Sequence, residues 1–259
     1  MIKAMYTAAA GMNAQQTEVD VIANNLANVS TNGFKRSQTN FEDLLYVTMR
    51  QPGTTSGTGT GLAGLQVGSG SRLVSTSKIF TPGTLIETAR DTDLAITGDG
   101  FFEVSGSNSE RIFTRDGHFH RDANGSLVNS AGQKLQPEIT IPQEATNLRI
   151  DADGTVAYTV NGTETEAGKI NLVRFVNPAG LVSVGQNGYR ITSNSGEPTT
   201  VLPGTEGSGE LQQGVLERSN VDVATELIQL IIAQRAYEVN SKAIATSDEM
   251  LGTVNNMVR

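Results

Sequence analysis

Apolar residues follow a heptad spacing at the start of the chain. They recur in alternating steps of three and four positions, interrupted only by the polar Gln16. This spacing predicts a helix that packs one stripe against another helix. Asn32 and Gly33 are expected to end it, because glycine suits the left-handed cap. The stripe consists of Ile2, Met5, Ala9, Met12, Val19, Ala23 and Leu26.

The end of the chain repeats this pattern. Apolar residues lie seven positions apart, and Ser219 followed by Asp222 resembles a capping box. They predict a second helix from about 222 to 256, about 50 Å long. We expect the two helices to pack along a coiled-coil seam. The seam is assigned to Met5, Met12, Val19, Leu26, Leu230, Tyr237, Ile244 and Leu251.

The second predicted helix has a wider apolar surface than one partner covers. Between 227 and 232, apolar side chains span roughly 200° of the circumference. Either the central part of the chain or a neighbouring subunit must cover the remainder. Polar residues at the other seam positions, Gln234, Asn240, Ser241 and Asp248, favour a specified assembly, since such groups fix register and partner number. The expected subunit contact consists of Leu227, Ile228, Ile231 and Ile232.

Asparagine is unusually frequent in the first predicted helix. It occurs at Asn13, Asn24, Asn25 and Asn28. Because asparagine is a mediocre helix former, these side chains are expected to bond to neighbours or to the following turn. The alternative is a frayed helix end with solvated amides.

The centre of the chain contains almost all of its glycine and proline. All 7 prolines, and all glycines except Gly11, Gly33 and Gly252, lie between 51 and 214. Both residues interrupt helices, so this distribution predicts an α+β fold with helical ends and an all-β centre from about 72 to 205. Hairpin-type dipeptides bound its short β-branched runs. They are Asp99-Gly100, Asp116-Gly117, Asn124-Gly125, Asp153-Gly154, Asn161-Gly162 and Asn187-Gly188.

Two segments precede the predicted β-domain. A short helix is expected from Asn40 to Met49, introduced by Thr39 and Glu42 in capping-box spacing, and Pro52 ends it. The stretch from 53 to 71 is rich in Gly, Thr and Ser, which is the composition of a flexible linker.

Charge and composition exclude several classes of function. The formal net charge is −8, with 19 basic and 27 acidic residues, and no segment has the basic face that nucleic-acid binding requires. The chain has no cysteine, which excludes thiolate chemistry and disulfides. No stretch approaches the roughly 20 apolar residues that span a bilayer. The first residues are too weakly apolar for a cleaved signal peptide.

The sequence offers little support for catalysis. His118 and His120 alternate on a predicted strand, but a zinc site needs three or four ligands, so no metal is expected. Glu138 and Glu144 are weak candidates for paired carboxylates. We therefore expect no catalytic residues and no cofactor.

Long motifs at both ends resemble those of the bacterial flagellar rod and hook proteins. The N-terminal motif occupies 22–36, and the C-terminal motif occupies 219–223 and 234–243. The segments 93–104 and 113–117 are similar to the β-domain of that family. The terminal motifs include Asn24, Asn25, Leu26, Asn28, Gly33, Phe34, Arg235, Tyr237 and Asn240.

Within the family, the chain length and the segments 41–46 and 50–53 most resemble subunits of the distal rod. Proximal rod and hook subunits are the alternatives inside the family. From another class, the alternative is a β-domain binding module or cell-wall hydrolase that the terminal helices oligomerise.

The resemblance implies a structural, non-enzymatic subunit of the flagellar basal body. Such subunits are exported through the flagellar type III apparatus without a cleaved signal, and polymerise helically in the periplasm into a drive shaft that transmits motor torque to the hook. The implied partners are further copies, other rod proteins below, hook protein above, and the surrounding ring proteins. Neither nucleic acid nor direct membrane insertion is implied.

The resemblance also implies three structural layers. Residues 1–35 and 218–259 would form the inner coiled-coil domain. Residues 36–71 and 206–217 would form a connecting region that becomes ordered on assembly. Residues 72–205 would form the outer all-β domain.

Overall fold

A computed structural model describes residues 2–50, 55–56, 59–60, 64–106 and 110–257 of the chain. The chain divides into two compact units. Unit 1 comprises Met1–Leu26, Ser37–Ser77 and Asp222–Arg259, and unit 2 comprises Ala27–Arg36 and Lys78–Val221. Helices at both ends and a β-rich centre confirm the predicted α+β class. No described helix has the length and apolar character to cross a membrane.

Two long helices lie at the ends of the chain. Helix α1 spans Ile2–Ala27 and helix α2 spans Val223–Met257. Helix α1 ends before the predicted cap at Gly33, because Asn28 begins a turn in which its carbonyl accepts the Thr31 N–H at 3.2 Å. Gly33 instead lies against the backbone of Asp116.

The start of helix α2 agrees with the prediction, but its capping residue does not. Oδ1 of Asp222 accepts the Thr225 N–H at 2.9 Å, which satisfies a donor of the first turn. The Ser219 hydroxyl instead accepts the Val221 N–H at 3.3 Å. The predicted capping box is therefore wrong, and the cap is Asp222.

Among its described residues, unit 1 also contains three pairs of strands. Strand β1 Ser37–Asp43 pairs with β6 Ser71–Lys78, β2 Val47–Arg50 with β5 Leu65–Val67, and β3 Thr55–Ser56 with β4 Gly59–Thr60.

The predicted helix over Asn40 to Met49 is wrong, because this segment forms β1 and β2. Its residues pair with strands further along the chain, and Val47 lies opposite Val67. Threonine and valine favour such strands, and long-range pairing overrides the local capping pattern. Of the predicted linker from 53 to 71, residues 53–54, 57–58 and 61–63 lie outside the described residues.

Unit 2 is built from short strands. They are β7 Leu85–Glu87, β8 Leu94–Thr97, β9 Phe102–Ser105, β10 Arg111–Thr114, β11 His120–Arg121, β12 Leu127–Val128, β13 Lys134–Gln136, β14 Thr146–Ile150, β15 Thr155–Val160, β16 Thr163–Lys169, β17 Leu172–Arg174, β18 Val182–Gly185, β19 Gly188–Arg190, β20 Thr199–Val201, β21 Glu210–Gln213 and β22 Val215–Glu217. The largest sheet has seven strands in the order β11-β12-β13-β9-β10-β19-β18. Smaller pairings join β14-β15-β16, β17-β20, β21-β8 and β22-β7.

The predicted hairpins are confirmed at four of the six dipeptides. Strands β11–β12, β14–β15, β15–β16 and β18–β19 pair across their connecting turns, the last through Gln186 and Asn187, both with positive φ. The prediction is wrong at Asp99-Gly100 and Asp116-Gly117. There the strands before each turn pair elsewhere, β8 with β21 and β10 with β9 and β19.

Two hydrophobic clusters form the core of unit 2. Adjacent residues around the start of β9 supply both, because successive side chains of a strand point to opposite faces. Phe102 and Val104 enter the larger cluster, whereas Phe101 enters the smaller one. The smaller cluster is largely aromatic and consists of Phe101, Phe113, Val173, Phe175, Leu181 and Tyr189.

Candidate functional site

The two terminal helices meet in an antiparallel arrangement within unit 1. Near the end of α1, the buried Asn25 amide donates to Oε2 of Glu226 at 3.1 Å, in the first turn of α2. Near the middle of each helix, a Cβ added to Gly11 would lie 2.9 Å from Nδ2 of Asn240. Helix α2 therefore runs back along α1, and Gly11 leaves room for the Asn240 side chain.

Asn25 also holds the strand that follows α1. Its Nδ2 donates to the Ser37 carbonyl at 2.8 Å, and its Oδ1 accepts the Ser37 N–H at 2.9 Å. One buried amide thus joins α1, β1 and α2. Asn28 accepts the Thr31 hydroxyl at 3.2 Å in the following turn. The prediction that asparagines of this helix bond to neighbours and to the next turn is confirmed at these two positions.

The most buried positions of the helix pair are mostly small or polar. On α2, Glu226, Ala233 and Ser247 are buried, and Asn240 continues their heptad spacing. On α1, Ala8, Ala14, Ile22 and Asn25 are buried. Small side chains let helix backbones approach closely, which explains why sequence reasoning based on large apolar residues missed this stripe. The signal was the seven-residue spacing of Glu226, Ala233, Asn240 and Ser247.

The predicted seam residues are less buried than this stripe. Tyr237 is 42% exposed, and the other seven are partly buried. Their role as the packing seam stays a prediction. The partly buried residues are Met5, Met12, Val19, Leu26, Leu230, Ile244 and Leu251.

The predicted subunit contact is an exposed apolar face of α2, which we call the α2 apolar face. Leu227, Ile228, Ile231 and Ile232 are 42, 59, 57 and 62% exposed. At about 100° per residue, Ile228 and Ile231 lie roughly 140° and 160° around the helix from the buried Ala233. Large apolar side chains grouped at such exposure are typical of an interaction surface.

The remaining residues of the C-terminal motif lie along α2. Arg235 is exposed, and its Nη1 lies 2.8 Å from Oε2 of Glu238. Asn24, of the N-terminal motif, is also exposed, whereas Gly33 and Phe34 are buried in unit 2.

A buried charge cluster, which we call the Lys35 cluster, lies in unit 2. Lys35 Nζ is 2.6 Å from Oε1 of Glu217, and its side chain has no exposed surface. The Arg115 guanidinium is also buried, with Nη1 3.6 Å from the second Glu217 oxygen. Lys35 Nζ further donates to the Thr81 carbonyl at 2.8 Å, and Glu217 Oε1 accepts the Gly83 N–H at 2.9 Å. The cluster therefore fixes the segment after α1 against the strand before α2.

Burial sets the proton affinity of both cations. Desolvation lowers the pKa of Lys35 and of Arg115, because it penalises the charged form, and attraction to Glu217 opposes this. Asp99 also attracts both cations, so the two positive charges lie near two carboxylates.

The backbone conformation and the close packing at position 33 require glycine there, immediately before Phe34 of the N-terminal motif. The φ of Gly33 is +66°, and an added Cβ would lie 2.6 Å from the Asp116 nitrogen and 2.7 Å from the Arg115 carbonyl carbon. No other residue fits without displacing the backbone that carries Arg115. The ring of Phe34 lies under Lys78, whose Nζ is 4.7 Å from the ring centroid.

Sequence reasoning missed the Lys35 cluster. Lys35 lies inside the N-terminal motif, but it was not singled out. A usable signal was Glu217, which follows Val215 and Leu216 in a strand whose three residues are all buried. A carboxylate in such a strand requires a cationic or hydrogen-bonding partner.

Two of the residues considered for metal binding or catalysis, His118 and Glu138, have structural partners. His118 Nδ1 lies 3.0 Å from Oδ1 of the buried Asp93. Glu138 accepts the Ser126 hydroxyl at 3.0 Å and pairs with Lys134, and Glu144 is exposed. Within the described residues, no group of three or more His, Cys, Asp and Glu side chains could hold a metal ion.

Three family models match the chain. Residues 5–35 match the flagella basal body rod protein, residues 95–158 the flagellar hook protein FlgE/F/G D1 domain, and residues 212–257 the flagellar basal body rod FlgEFG protein C-terminal segment. The first and last matches include Asn25, Lys35, Glu217 and the α2 apolar face. These matches define the class as flagellar hook and rod proteins.

Comparison with full-length relatives shows which family within this class the chain resembles. The chain is 49% identical to the flagellar basal-body rod protein FlgG of Buchnera aphidicola subsp. Schizaphis graminum, with 99% of this chain and all of the relative covered. It is 46% identical to FlgG of Borreliella burgdorferi, with both chains fully covered. In Bacillus subtilis it is 37% identical to FlgG over both full lengths, but only 30% identical to the hook-basal body complex protein FlhP.

The chain belongs to the FlgG family of flagellar basal-body rod proteins. This confirms the resemblance to distal rod subunits and the structural role that it implied.

Proposed function

We propose that the chain polymerises helically into the distal rod, the drive shaft that transmits motor torque to the hook. This proposal rests on the α2 apolar face, whose four residues are each more than 40% exposed. Exposed apolar surface of this kind gains free energy when a second copy covers it.

The proposed partners are further copies of the chain, other rod proteins below, hook protein above, and the ring proteins around the shaft. Export through the type III apparatus without a cleaved signal, and a position in the periplasm, belong to the same proposal. The absence of catalysis belongs to the same proposal, and membership in a family of flagellar rod proteins supports it.

The proposal assigns one role to each part of the chain. Residues 1–35 and 218–259 form the helical layer, with Met5 to Leu26 and Leu230 to Leu251 as its seam. Residues 36–71 and 206–217 connect this layer to the β-domain of residues 72–205. The close approach at Gly11 and the Asn25 hydrogen bonds support pairing of the two helices within one subunit.

The substitution Ile231→Asp tests the assembly surface. In the free chain the new carboxylate stays in water, because Ile231 is 57% exposed, so the chain should fold. In the polymer the same charge would be buried without a partner, at a cost of several kcal/mol. We expect no rods by electron microscopy and no swimming when the variant replaces the native chain.

Val184→Asp is the matched control. Val184 is 43% exposed on β18 at the edge of the unit 2 sheet, so the control adds the same charge to an exposed valine that is not part of the α2 apolar face. We expect it to assemble normally, and circular dichroism should show native structure in both variants. Intact rods from a folded Ile231→Asp chain would contradict the assignment of this face.

A further inference from the structure

A cavity of about 200 Å³ lies entirely within unit 2, beside the aromatic cluster. It is lined by the aromatic residues Phe80, Phe101 and Phe175 and by the charged residues Arg115, Arg174 and Asp99. The rings pack edge to face, with 5.4 Å between the Phe80 and Phe101 centroids and 5.5 Å between Phe101 and Phe175. The walls are therefore fixed by packing.

Among the residues that line the cavity, Arg115 is unusual because it is a buried cation whose hydrogen-bond donors are not all satisfied. It is only 2% exposed, and its guanidinium carbon lies 5.3 Å from the Phe101 ring centroid. Its Nε and Nη1 atoms donate no hydrogen bond to any residue of the described chain. A buried donor without a partner is unfavourable, and more so when it is charged. The guanidinium thus retains capacity for an acceptor.

The charges around the cavity do not balance. Lys35, Arg115 and Arg174 are cations, whereas Asp99 and Glu217 are anions, which leaves one positive charge. Lys35 holds Oε1 of Glu217 at 2.6 Å. Oε2 of Glu217, which accepts no hydrogen bond from a described residue, lies 3.6 Å from Nη1 of Arg115, beyond hydrogen-bond distance. No described carboxylate forms a salt bridge with Arg174, which donates to the Glu206 carbonyl.

We propose that this cavity binds a carboxylate group, with Arg115 and Arg174 as its cationic partners. A carboxylate matches the fork of a guanidinium and supplies the missing negative charge. The aromatic walls favour a carboxylate attached to a short aliphatic stem. Its source is either an acidic side chain of a second copy of the chain or a small free carboxylic acid.

Sodium propionate is the probe, and the readout is the Nε–H signal of Arg115 in the ¹⁵N-labelled full chain. The titration is run at constant ionic strength and below the concentration at which the chain self-associates, so its outcome is independent of rod assembly. We expect a saturable shift of this signal. Propionamide, which has the same shape without the charge, should cause none.

Arg174→Gln provides the variant test. Arg174 is partly exposed, so the chain should fold, and loss of this charge should weaken propionate binding by about fivefold. The matched control is Arg190→Gln, which removes an exposed arginine paired with Glu110. It should leave the affinity unchanged.

Raising the protein concentration without propionate separates the two sources. A shift of the same Arg115 signal identifies an acidic side chain of a second copy, and no shift identifies a small free carboxylate. The proposal is overturned if propionate causes no saturable shift, if propionamide causes an equal one, or if Arg174→Gln binds propionate as tightly as the native chain.

Discussion

At the scale of single residues, Lys35 is a buried charged side chain whose removal would leave a buried carboxylate without its nearest cation. It is fully buried and holds Glu217 at 2.6 Å. Lys35→Met would leave that carboxylate with only the more distant Arg115 and the Gly83 N–H. Breaking a buried pair on one side costs about 3–5 kcal/mol, so we expect a loss of this size in urea unfolding of unit 2.

The control for this substitution is Lys134→Met. Lys134 pairs with Glu138 at an exposed site, where solvent screens the interaction. We expect no measurable change in its unfolding midpoint. Equal small losses in both variants would show that the Lys35 pair contributes no more than a surface pair.

Gly33 gives a second prediction at this scale. Gly33→Ala forces a Cβ to within 2.6 Å of the Asp116 nitrogen at a φ of +66°. Gly132→Ala is matched, because Gly132 has a φ of +77° but nothing within 4 Å of an added Cβ. Both substitutions place a side chain on a residue with positive φ, which is unfavourable. Only Gly33→Ala also forces the new Cβ into neighbouring backbone atoms. Thermal unfolding should therefore show Gly33→Ala to be less stable than Gly132→Ala by about 1–3 kcal/mol. Equal losses would disprove the clash.

At the scale of elements, the start of α2 depends on one carboxylate. N–H groups of the first turn, chiefly that of Thr225, hold the pKa of Asp222 below its ordinary value of 3.8. A carboxylate with a depressed folded pKa stabilises the helix above its unfolded pKa. This contribution is lost as pH falls through the folded pKa.

Asp222→Asn tests this cap, because asparagine caps a helix without titrating. The difference in free energy of unfolding between the native chain and Asp222→Asn should be constant above about pH 5. It should change steadily below about pH 4. Asp222→Ala should lower the unfolding midpoint at neutral pH. A stability difference between the native chain and Asp222→Asn that does not vary with pH would exclude Asp222 as the titrating cap.

The sequence predicted elements well where their contacts are local or repeat regularly. The heptad spacing predicted both terminal helices. Asn161-Gly162 predicted a two-residue hairpin turn, and it joins the adjacent strands β15 and β16. Prediction failed where pairing partners lie far apart in the chain. The segment 40–49 had a helix-cap pattern but pairs with β5 and β6, and Asp99-Gly100 leads from a strand that pairs with β21.

The same distinction applies to the candidate site. The apolar face between 227 and 232 is visible in one stretch of sequence. The Lys35 cluster joins residues near 35, 115 and 217, and nothing local indicates that Glu217 and Lys35 meet. Buried small residues such as Ala233 were missed because their value comes from the close approach of a second helix.

At the scale of the whole molecule, the family's two terminal motifs fall in both units. Asn25 and the α2 apolar face belong to unit 1, and Gly33 and Lys35 belong to unit 2. The buried members of these motifs have structural partners, and the α2 apolar face is exposed. That combination is expected of a subunit that folds first and then assembles through a surface it leaves open.

Negative-stain electron microscopy of the concentrated full chain shows whether the chain polymerises into a rod. If it does, we expect straight rods or short filaments with helical order, whose length grows with protein concentration. Discrete particles of fixed size at every concentration would contradict it, and would favour a β-domain module that its terminal helices merely oligomerise.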